Sequence, residues 1–564
     1  MKRLYSIIAI LTLSISLSNA QPSVKKYGKS VFTLTTFDKD GNIKSSDIYG
    51  VFVGSEGEAI SLWTPFIDTD SAIVKTCNGD IMEVESIIGA NELYNVCKFK
   101  VKGKTSSIEI ARRPSTQGEN MWVLFNKNNK LGASKCEIDK TEAFMDKYTY
   151  YIISMEDAPE FSGCPVIDKD GKLTGLFQRS GSSAVLNVVD ANFTDSIETK
   201  GLFISNSMYR QTGIKLNMPA DKQEALIMLV MAKEQCDSSK YVKYVDDFIG
   251  SFPTEVNGYS TRAMNLVSAG HFEEADKTMK TAIEKTADKA AAHAEYSSVI
   301  YQKLIYSPDT TYKEWSLDKA LGEIRKAYEM SPQPVYRHRE AQIIYTKGDY
   351  QKAYDMFIGL TKEELKREEL FLEAAQCKIQ LNAPDTEVVV LLDSAVSACP
   401  KPLTSISSPY ILARGQIYDK MGEYRKALAD YNVYDTLMLG NADAPFYYTR
   451  FKCELNIKQY KQALNDIAHA AYLNPNEPVY LAEMGSLQLR LNQLDDAIKS
   501  ADLCIRIAPE FPDAYLIKGL ALIHKKDKSN GLQMLEKARG LGDSRAQELI
   551  DKYDYSVNNI KSAN

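Results

Sequence analysis

The side chains best suited to chemistry are few and widely spaced. Nine cysteines stand at Cys77, Cys97, Cys136, Cys164, Cys236, Cys377, Cys399, Cys453 and Cys504. No C-x-x-C occurs, and no cysteine and histidine share zinc-ligand spacing, so neither a metal nor any other cofactor is expected. An odd number leaves at least one thiol unpaired in an oxidising compartment, and most read as small buried apolar side chains. Cys77 with Cys97, or Cys136 with Cys164, could bridge, with connectivity open. The histidines are His271, His293, His338, His469 and His524, so the first 270 residues contain no imidazole to act as a general base. Phosphate loops, dinucleotide fingerprints, H-E-x-x-H and G-x-S-x-G are all missing. The paired carboxylates Asp246-Asp247, Glu368-Glu369 and Asp495-Asp496 read as solvated faces.

The elements that must carry these residues fall into two regimes. A chain of 564 residues, 44% apolar and 25% charged, predicts roughly three to five domain equivalents. A net charge of −6 argues against nucleic acid as a partner. Met1-Lys2-Arg3, the apolar run Leu4 to Leu17 and the small residues Ser18-Asn19-Ala20 predict a signal peptide over residues 1–20. Its core of about 14 residues falls short of the ~20 a membrane span needs, so no integral membrane segment is expected in the exported chain. No cysteine follows the cleavage point to carry a lipid.

From Ser30 to about Val189, short apolar or alternating runs are separated by Asp-Gly and Asn-Gly turns, including two copies of Asp-Lys-Asp-Gly at 38–41 and 168–171. Runs at Ser30–Thr36, Tyr49–Val53, Ala72–Thr76, Ile81–Ile88, Val96–Val101, Met121–Phe125, Tyr148–Ile153 and Leu173–Gln178 predict an antiparallel barrel or sandwich. The stretch from Phe203 to Thr212 reads as a closing short helix.

From about Pro219 the apolar period becomes helical and a 34-residue interval appears, relating Gly485 to Gly519, Ala463 to Ala497 and Pro475 to Pro509. That interval is the length of a tetratricopeptide (TPR) helical hairpin. Small residues opening the second helix are Ala275, Ala320, Ala353, Ala427, Ala463 and Ala497, with Val388 in one irregular unit and an added loop at 307–311 in another. Tyr259, Phe357, Tyr418, Tyr431 and Tyr447 are the bulky fillers. Eight or nine hairpins are expected over 219–545, followed by a polar tail over 546–564.

Three stretches of residues 21–215 resemble the trypsin-like serine peptidases of the Deg type. Glu160-Phe161-Ser162-Gly163-Cys164-Pro165, with the Asp168–Gly171 turn after it, is similar to the family's nucleophile segment. Asn95-Val96-Cys97-Lys98-Phe99-Lys100-Val101 is similar to its acid segment, and Ile60-Ser61-Leu62-Trp63-Thr64-Pro65 to its histidine segment. The resemblance implies an all-β double barrel ahead of an all-α TPR superhelix. It also implies Ser162 at the nucleophile position, Asn95 at the acid, Thr64 at the base, and Glu160 at a glycine that would donate an N–H to the oxyanion hole. A serine needs an imidazole held by a carboxylate to lose its proton, and neither type is present at these positions. A carboxylate at 160 also opposes the negative charge that develops in acyl transfer. The expectation is a pseudopeptidase with no catalytic residues, Ser162-Gly163-Cys164-Pro165 surviving as a tight turn.

A helical superhelix binds extended peptide or a partner's helix along its concave face. The repeat register assigns His338, Gln342, Tyr345, Gln416, Asp419, Tyr448, Lys452, Ser486 and Arg490 to that face. The expected function is an exported interaction scaffold or adaptor that binds protein or peptide partners. Its expected place is the periplasm or a complex at the periplasmic face of the outer membrane, with secretion as second choice. The alternatives are a divergent secreted serine endopeptidase using Ser162, and a carbohydrate binder using Trp63, Trp122 and Trp315 as stacking platforms.

Overall fold

The computed structural model describes residues 23–127, 130–179, 185–307, 311–363 and 365–561. The expected signal peptide over residues 1–20, the centre of the expected loop at 307–311 and the last three residues lie outside these ranges. Two compact units divide between Glu295 and Tyr296.

The first unit opens with twelve strands in two closed six-stranded antiparallel barrels. Strands β1 (Val31–Phe37), β2 (Ile43–Phe52), β3 (Glu58–Ser61), β4 (Ser71–Thr76), β5 (Ile81–Asn91) and β6 (Val96–Val101) close in the order β1-β2-β3-β6-β5-β4. Strands β7 (Asn120–Lys127), β8 (Lys130–Phe144), β9 (Tyr148–Ser154), β10 (Pro165–Ile167), β11 (Leu173–Arg179) and β12 (Leu186–Asp190) close as β10-β11-β12-β9-β8-β7. Side chains alternate faces along a strand. On β1 to β3, Phe32, Leu34, Phe52 and Ala59 therefore enter the first core, while Val31, Val51 and Ile60 join the second. The two Asp-Lys-Asp-Gly turns are built alike. Asp38 Oδ1 accepts from the N–H groups of Asp40 and Asn42, and Asp168 Oδ1 from those of Asp170 and Lys172, all at 2.9 Å. Gly41 and Gly171 take the positive φ that each turn requires.

The expected closing helix at 203–212 is instead two single-turn 3₁₀ helices, Gly201–Ser205 and Tyr209–Gln211. Beyond them the chain does not leave the barrel. Ile87 N–H donates to Lys215 O at 2.9 Å and Asn217 N–H to Ile87 O at 2.7 Å, pinning the segment to β5. Helices α1 (Lys222–Gln235) and α2 (Ser238–Ser251) then place Ala225, Met228, Leu229, Ala232, Tyr244, Val245 and Phe248 in the first barrel's core. The packing boundary thus differs from the 215–219 boundary of the sequence pattern. Helices α3 (Val256–Ser268) and α4 (Phe272–Lys285) complete the unit, and α5 (Lys289–Tyr306) spans the division.

The second unit contains α6 (Leu317–Met330), α7 (Pro334–Thr346), α8 (Tyr350–Leu360), α9 (Arg367–Gln380), α10 (Asp385–Ala398), α11 (Ser408–Lys420) and α12 (Tyr424–Met438). It continues with α13 (Ala444–Asn456), α14 (Tyr460–Leu473), α15 (Pro478–Arg490), α16 (Leu494–Ile507), α17 (Pro512–His524), α18 (Lys528–Gly540) and α19 (Ser544–Lys561). The first helices at Ala444, Pro478 and Pro512, and the second at Tyr460, Leu494 and Lys528, recur every 34 residues, so this is a helical-repeat array of antiparallel hairpins. Inside the hairpins the turn is one repeated device. Gly270, Gly348, Asn382, Gly422, Lys458, Asn492 and Lys526 each have positive φ. The next N–H then reaches back to a carbonyl of the first helix, as Gln493 does to Gln488 and Asp527 to Leu522 at 2.8 and 2.9 Å. Ala275, Ala320, Ala353, Val388, Ala427, Ala463 and Ala497 are all completely buried where the two helices approach. Across the stretch expected as a polar tail from residue 546, helix α19 runs through Lys561, with Ala546 buried in its start.

Candidate functional site

Two of the three positions singled out in the barrel unit meet. Thr64 opens a 3₁₀ turn, Thr64–Phe66, and Asn95 sits at φ 50° in the β5–β6 turn. Asn95 Oδ1 accepts three hydrogen bonds, from Trp63 N–H at 3.0 Å, Thr64 N–H at 2.8 Å and Thr64 Oγ1–H at 2.8 Å. The carboxamide therefore caps the turn, and the threonine hydroxyl gives its proton to a neutral acceptor that cannot take it away.

Ser162 is held by its backbone. Its carbonyl accepts from Tyr49 N–H at 3.1 Å on β2, and Gly163 N–H donates to Phe177 O at 2.8 Å on β11. Gly163 has φ 83°, and a Cβ there would lie 2.3 Å from Tyr49 O, so this turn needs glycine. Cys164 is buried behind it, with Sγ 3.5 Å from Phe161 O, and burial raises its thiol far above the ordinary range. Gln178 Nε2 donates to Tyr94 O at 2.9 Å, tying β11 to the loop that holds Asn95. Among the described residues, Ser162 Oγ has no hydrogen-bond partner, and Glu160 is exposed. The structure thus joins Thr64 to Asn95, and among the described residues Ser162 hydrogen-bonds to neither.

The imidazoles of the second unit have partners of their own. His338 Nε2 lies 2.5 Å from Glu373 Oε2, the His469 ring 4.2 Å from that of Tyr447, and His524 Nε2 3.3 Å from Tyr553 Oη. All nine cysteines are free thiols. Neither sequence-stretch pairing forms: Cys97 belongs to the first core and Cys77 packs against the second, while Cys136 Sγ points to Met121 O and Cys164 Sγ to Phe161 O. Trp63, Trp122 and Trp315 are buried, which removes the carbohydrate-stacking alternative.

The nine expected groove residues fall into two clusters and some outliers. In the first, His338 and Gln342 on α7 both reach Glu373 on α9, Gln342 Nε2 donating to Glu373 Oε1 at 2.7 Å. Tyr345, one turn on, packs edge to face on Tyr350 at 5.3 Å, and burial raises its phenol. Tyr410 on α11 is pushed up to about 12 by burial and then by Glu368, Glu369 and Glu373, so a negative field stands over this cluster.

In the second cluster, the Lys452 ammonium lies 4.7 Å from the Tyr448 ring, which packs on Tyr480 at 5.1 Å. Burial raises the carboxyl groups of Asp419 and Glu483, and the Lys452 charge opposes the rise in both. Gln416 and Ser486 are exposed, and Arg490 stacks 4.9 Å over Tyr460 of the preceding hairpin. Glu373, Tyr480 and Glu483 are absent from the sequence reading, and Glu369, read there as part of a solvated carboxylate pair, is instead half-buried beside Glu373. The signal for Glu373 was its place one repeat beyond His338, an offset close to the 34-residue period.

No family model matches the chain. Among curated proteins it is 22% identical over 223 residues to "BBSome complex member BBS4" of Bos taurus, covering 39% of this chain and 41% of that protein. It is 28% identical over 108 residues to "Hsp70-Hsp90 organizing protein 2" of Arabidopsis thaliana, covering 19% of each. Against "Hsp70-Hsp90 organizing protein" of Triticum aestivum it is 22% identical over 264 residues, covering 45% of this chain and 43% of that one. The chain spans less than half the length of these curated relatives. Among solved structures it is similar to YrrB, described as a TPR protein with an unusual peptide-binding site, at 19% identity and TM-score 0.31, covering 35% of this chain and 97% of that one. It is also similar to MamA, at 19% identity and TM-score 0.28, covering 32% and 94%.

Proposed function

We propose that this chain is an exported, non-catalytic adaptor that holds polypeptide partners on its helical-repeat array and carries an inactive trypsin-like peptidase domain as a second binding module. The observation that carries this reading is the Thr64–Asn95 pair. The position that would hold a base instead donates its proton to an uncharged amide, and the amide is consumed in capping a turn. A protease that loses a triad member but keeps its oxyanion hole retains only ~10³ to 10⁴ of its acceleration, and here Glu160 stands at a hole position as well. Polypeptide binding is supported by the hairpin array and by the relatives, two of which are named as organizing proteins and one as a complex member. Among the described residues no helix is long and apolar enough to cross a membrane. A membrane complex would therefore be reached by docking, at the periplasmic face of an outer membrane on the reading of residues 1–20 as a signal peptide.

A fluorophosphonate probe applied to the purified chain tests the barrel, with no labelling of Ser162 expected. Labelling that disappears in Ser162→Ala would establish a divergent serine hydrolase instead. Recovery of a defined protein set with the tagged chain from gently solubilised envelope tests the adaptor, and recovery of nothing at low salt counts against it.

A further inference from the structure

His338 is in α7, and Glu369 and Glu373 lie four residues apart, on one face of α9. One donor atom from each of the three lies within 4.8 Å of the others. The three are differently restrained. The carboxylate of Glu373 is fixed from two sides, by His338 Nε2 at 2.5 Å and by Gln342 Nε2 at 2.7 Å. Gln342 is itself oriented by Arg339, whose Nη1 donates to Gln342 Oε1 at 2.8 Å. Glu369 is half-buried in the same cluster, and among the described residues its carboxylate has no hydrogen-bond or ion-pair partner. Two carboxylates are thus held beside one imidazole, and the nearby guanidinium is turned to an amide rather than to either acid.

We propose that His338, Glu369 and Glu373 bind one divalent transition-metal ion, with zinc the best fit. One imidazole nitrogen and two carboxylate oxygens form a three-ligand set that leaves a fourth position for water. Zinc at its usual bond lengths of about 2.0–2.2 Å places tetrahedral donors about 3.3 Å apart, so small side-chain rotations within the 4.8 Å cluster suffice. Magnesium and calcium prefer six or more oxygen donors, and an imidazole at the centre of the set selects against them. The Gln342 and Arg339 contacts supply the outer hydrogen bonds that orient a ligating carboxylate. On binding, the metal takes the place of the hydrogen bond between His338 Nε2 and Glu373 Oε2. The proposal does not depend on the adaptor reading, because it concerns only the contact between neighbouring hairpins.

Calorimetric titration of the purified chain with zinc, and separately with magnesium and calcium, tests it. One zinc ion per chain is expected, with no saturable uptake of the other two. Glu369→Gln breaks no described contact and so leaves the fold intact, which circular dichroism checks; it is expected to weaken zinc binding at least about tenfold. His338→Ala is expected to abolish binding. Because nine free thiols could also take the ion, cobalt substitution separates the sources: nitrogen and oxygen ligation gives a visible spectrum without a sulfur-to-metal charge-transfer band. Absence of saturable zinc binding, binding unchanged in both variants, or a thiolate-dominated cobalt spectrum would each overturn the proposal.

Discussion

Arg450 on α13 is 8% exposed and its fork meets Asp466 on α14 at 2.6 and 2.9 Å, while its remaining nitrogen reaches Asp435 on α12 at 2.9 Å. One guanidinium therefore ties the helices of its own hairpin together and joins them to the preceding hairpin. Arg414 repeats the arrangement with Asp430 and Asp393. Removing one member of a buried pair strands the other, so Arg450→Ala should cost about 3–5 kcal/mol in denaturant unfolding. Arg450→Lys should also destabilise, because an ammonium cannot make the fork. Beside this pair, Glu454 is buried with Oε2 unpartnered, and burial first, then Asp466, raise its carboxyl to about 8 against the pull of Arg450. One repeat later the corresponding residues are neutral and satisfied, Ser500 Oγ donating to Gln488 Oε1 at 2.7 Å. The native state thus binds a proton at Glu454 that the unfolded chain releases near 4.5. Its contribution to stability is absent below that value, turns unfavourable as pH rises through the window, and is fully unfavourable above about 8. Glu454→Gln should flatten that decline, roughly 1.4 kcal/mol per pH unit, with little change at the acidic end. Denaturant titrations of both proteins across the window measure the difference. The sequence shows the acids and the arginines but not this pairing, because Arg450 and Asp466 lie 16 residues apart, a distance that only the hairpin turn closes.

The helical hairpins were legible because one constraint recurs: a small residue where two helices touch, then a left-handed residue at the turn. Gly519 and Gly531 show the constraint at its tightest. A Cβ at 531 would lie 2.5 Å from Ile523 Cγ1 and 2.8 Å from Gly519 O, and the second of these is backbone that cannot swing away. Gly322, in the middle of α6, faces open space. Alanine favours a helix over glycine by about 1 kcal/mol at either site, so packing alone decides the sign. Gly531→Ala should destabilise by about 1–3 kcal/mol and Gly322→Ala should stabilise by up to about 1, read from unfolding midpoints. Strand β8 is the opposite case. Lys130 to Phe144 is mostly polar and exposed, with only Cys136, Ile138 and Phe144 buried, so neither alternation nor an apolar run announces it. It is a strand because β7 and β9 pair with it on both edges, and pairing of that kind is set by the barrel's closure rather than by the segment itself. The Thr64–Asn95 contact likewise needed the closed barrel to bring residues from two turns together, although the resemblance had already marked both.

A change of hydrophobic period reports where local structure changes, and it does not report what the next elements pack against. That is why the pattern divides near 215–219 while the first barrel's core continues into α1 and α2. Tyr244 on α2 is buried, and its hydroxyl accepts from Leu216 N–H at 2.9 Å, inside the segment that follows the last barrel residue of the sequence reading. Phe248 and Met228 are completely buried in the same cluster as Phe32, Phe66 and Phe99. A fragment of residues 23–215 would keep all twelve strands yet uncover this apolar face, and it would also lose the Ile87 and Asn217 hydrogen bond along β5. Exposed faces of that kind drive association. The fragment should therefore elute as aggregate and melt without a cooperative transition. A fragment of residues 23–285, which restores α1 to α4, should run as a monomer and unfold cooperatively by circular dichroism. Equal behaviour of the two would mean that the strands alone specify the barrels and that the first helical hairpin is an addition to them. The expected contrast would instead make that hairpin a part of the β domain, because Met228 and Phe248 complete the first barrel's core.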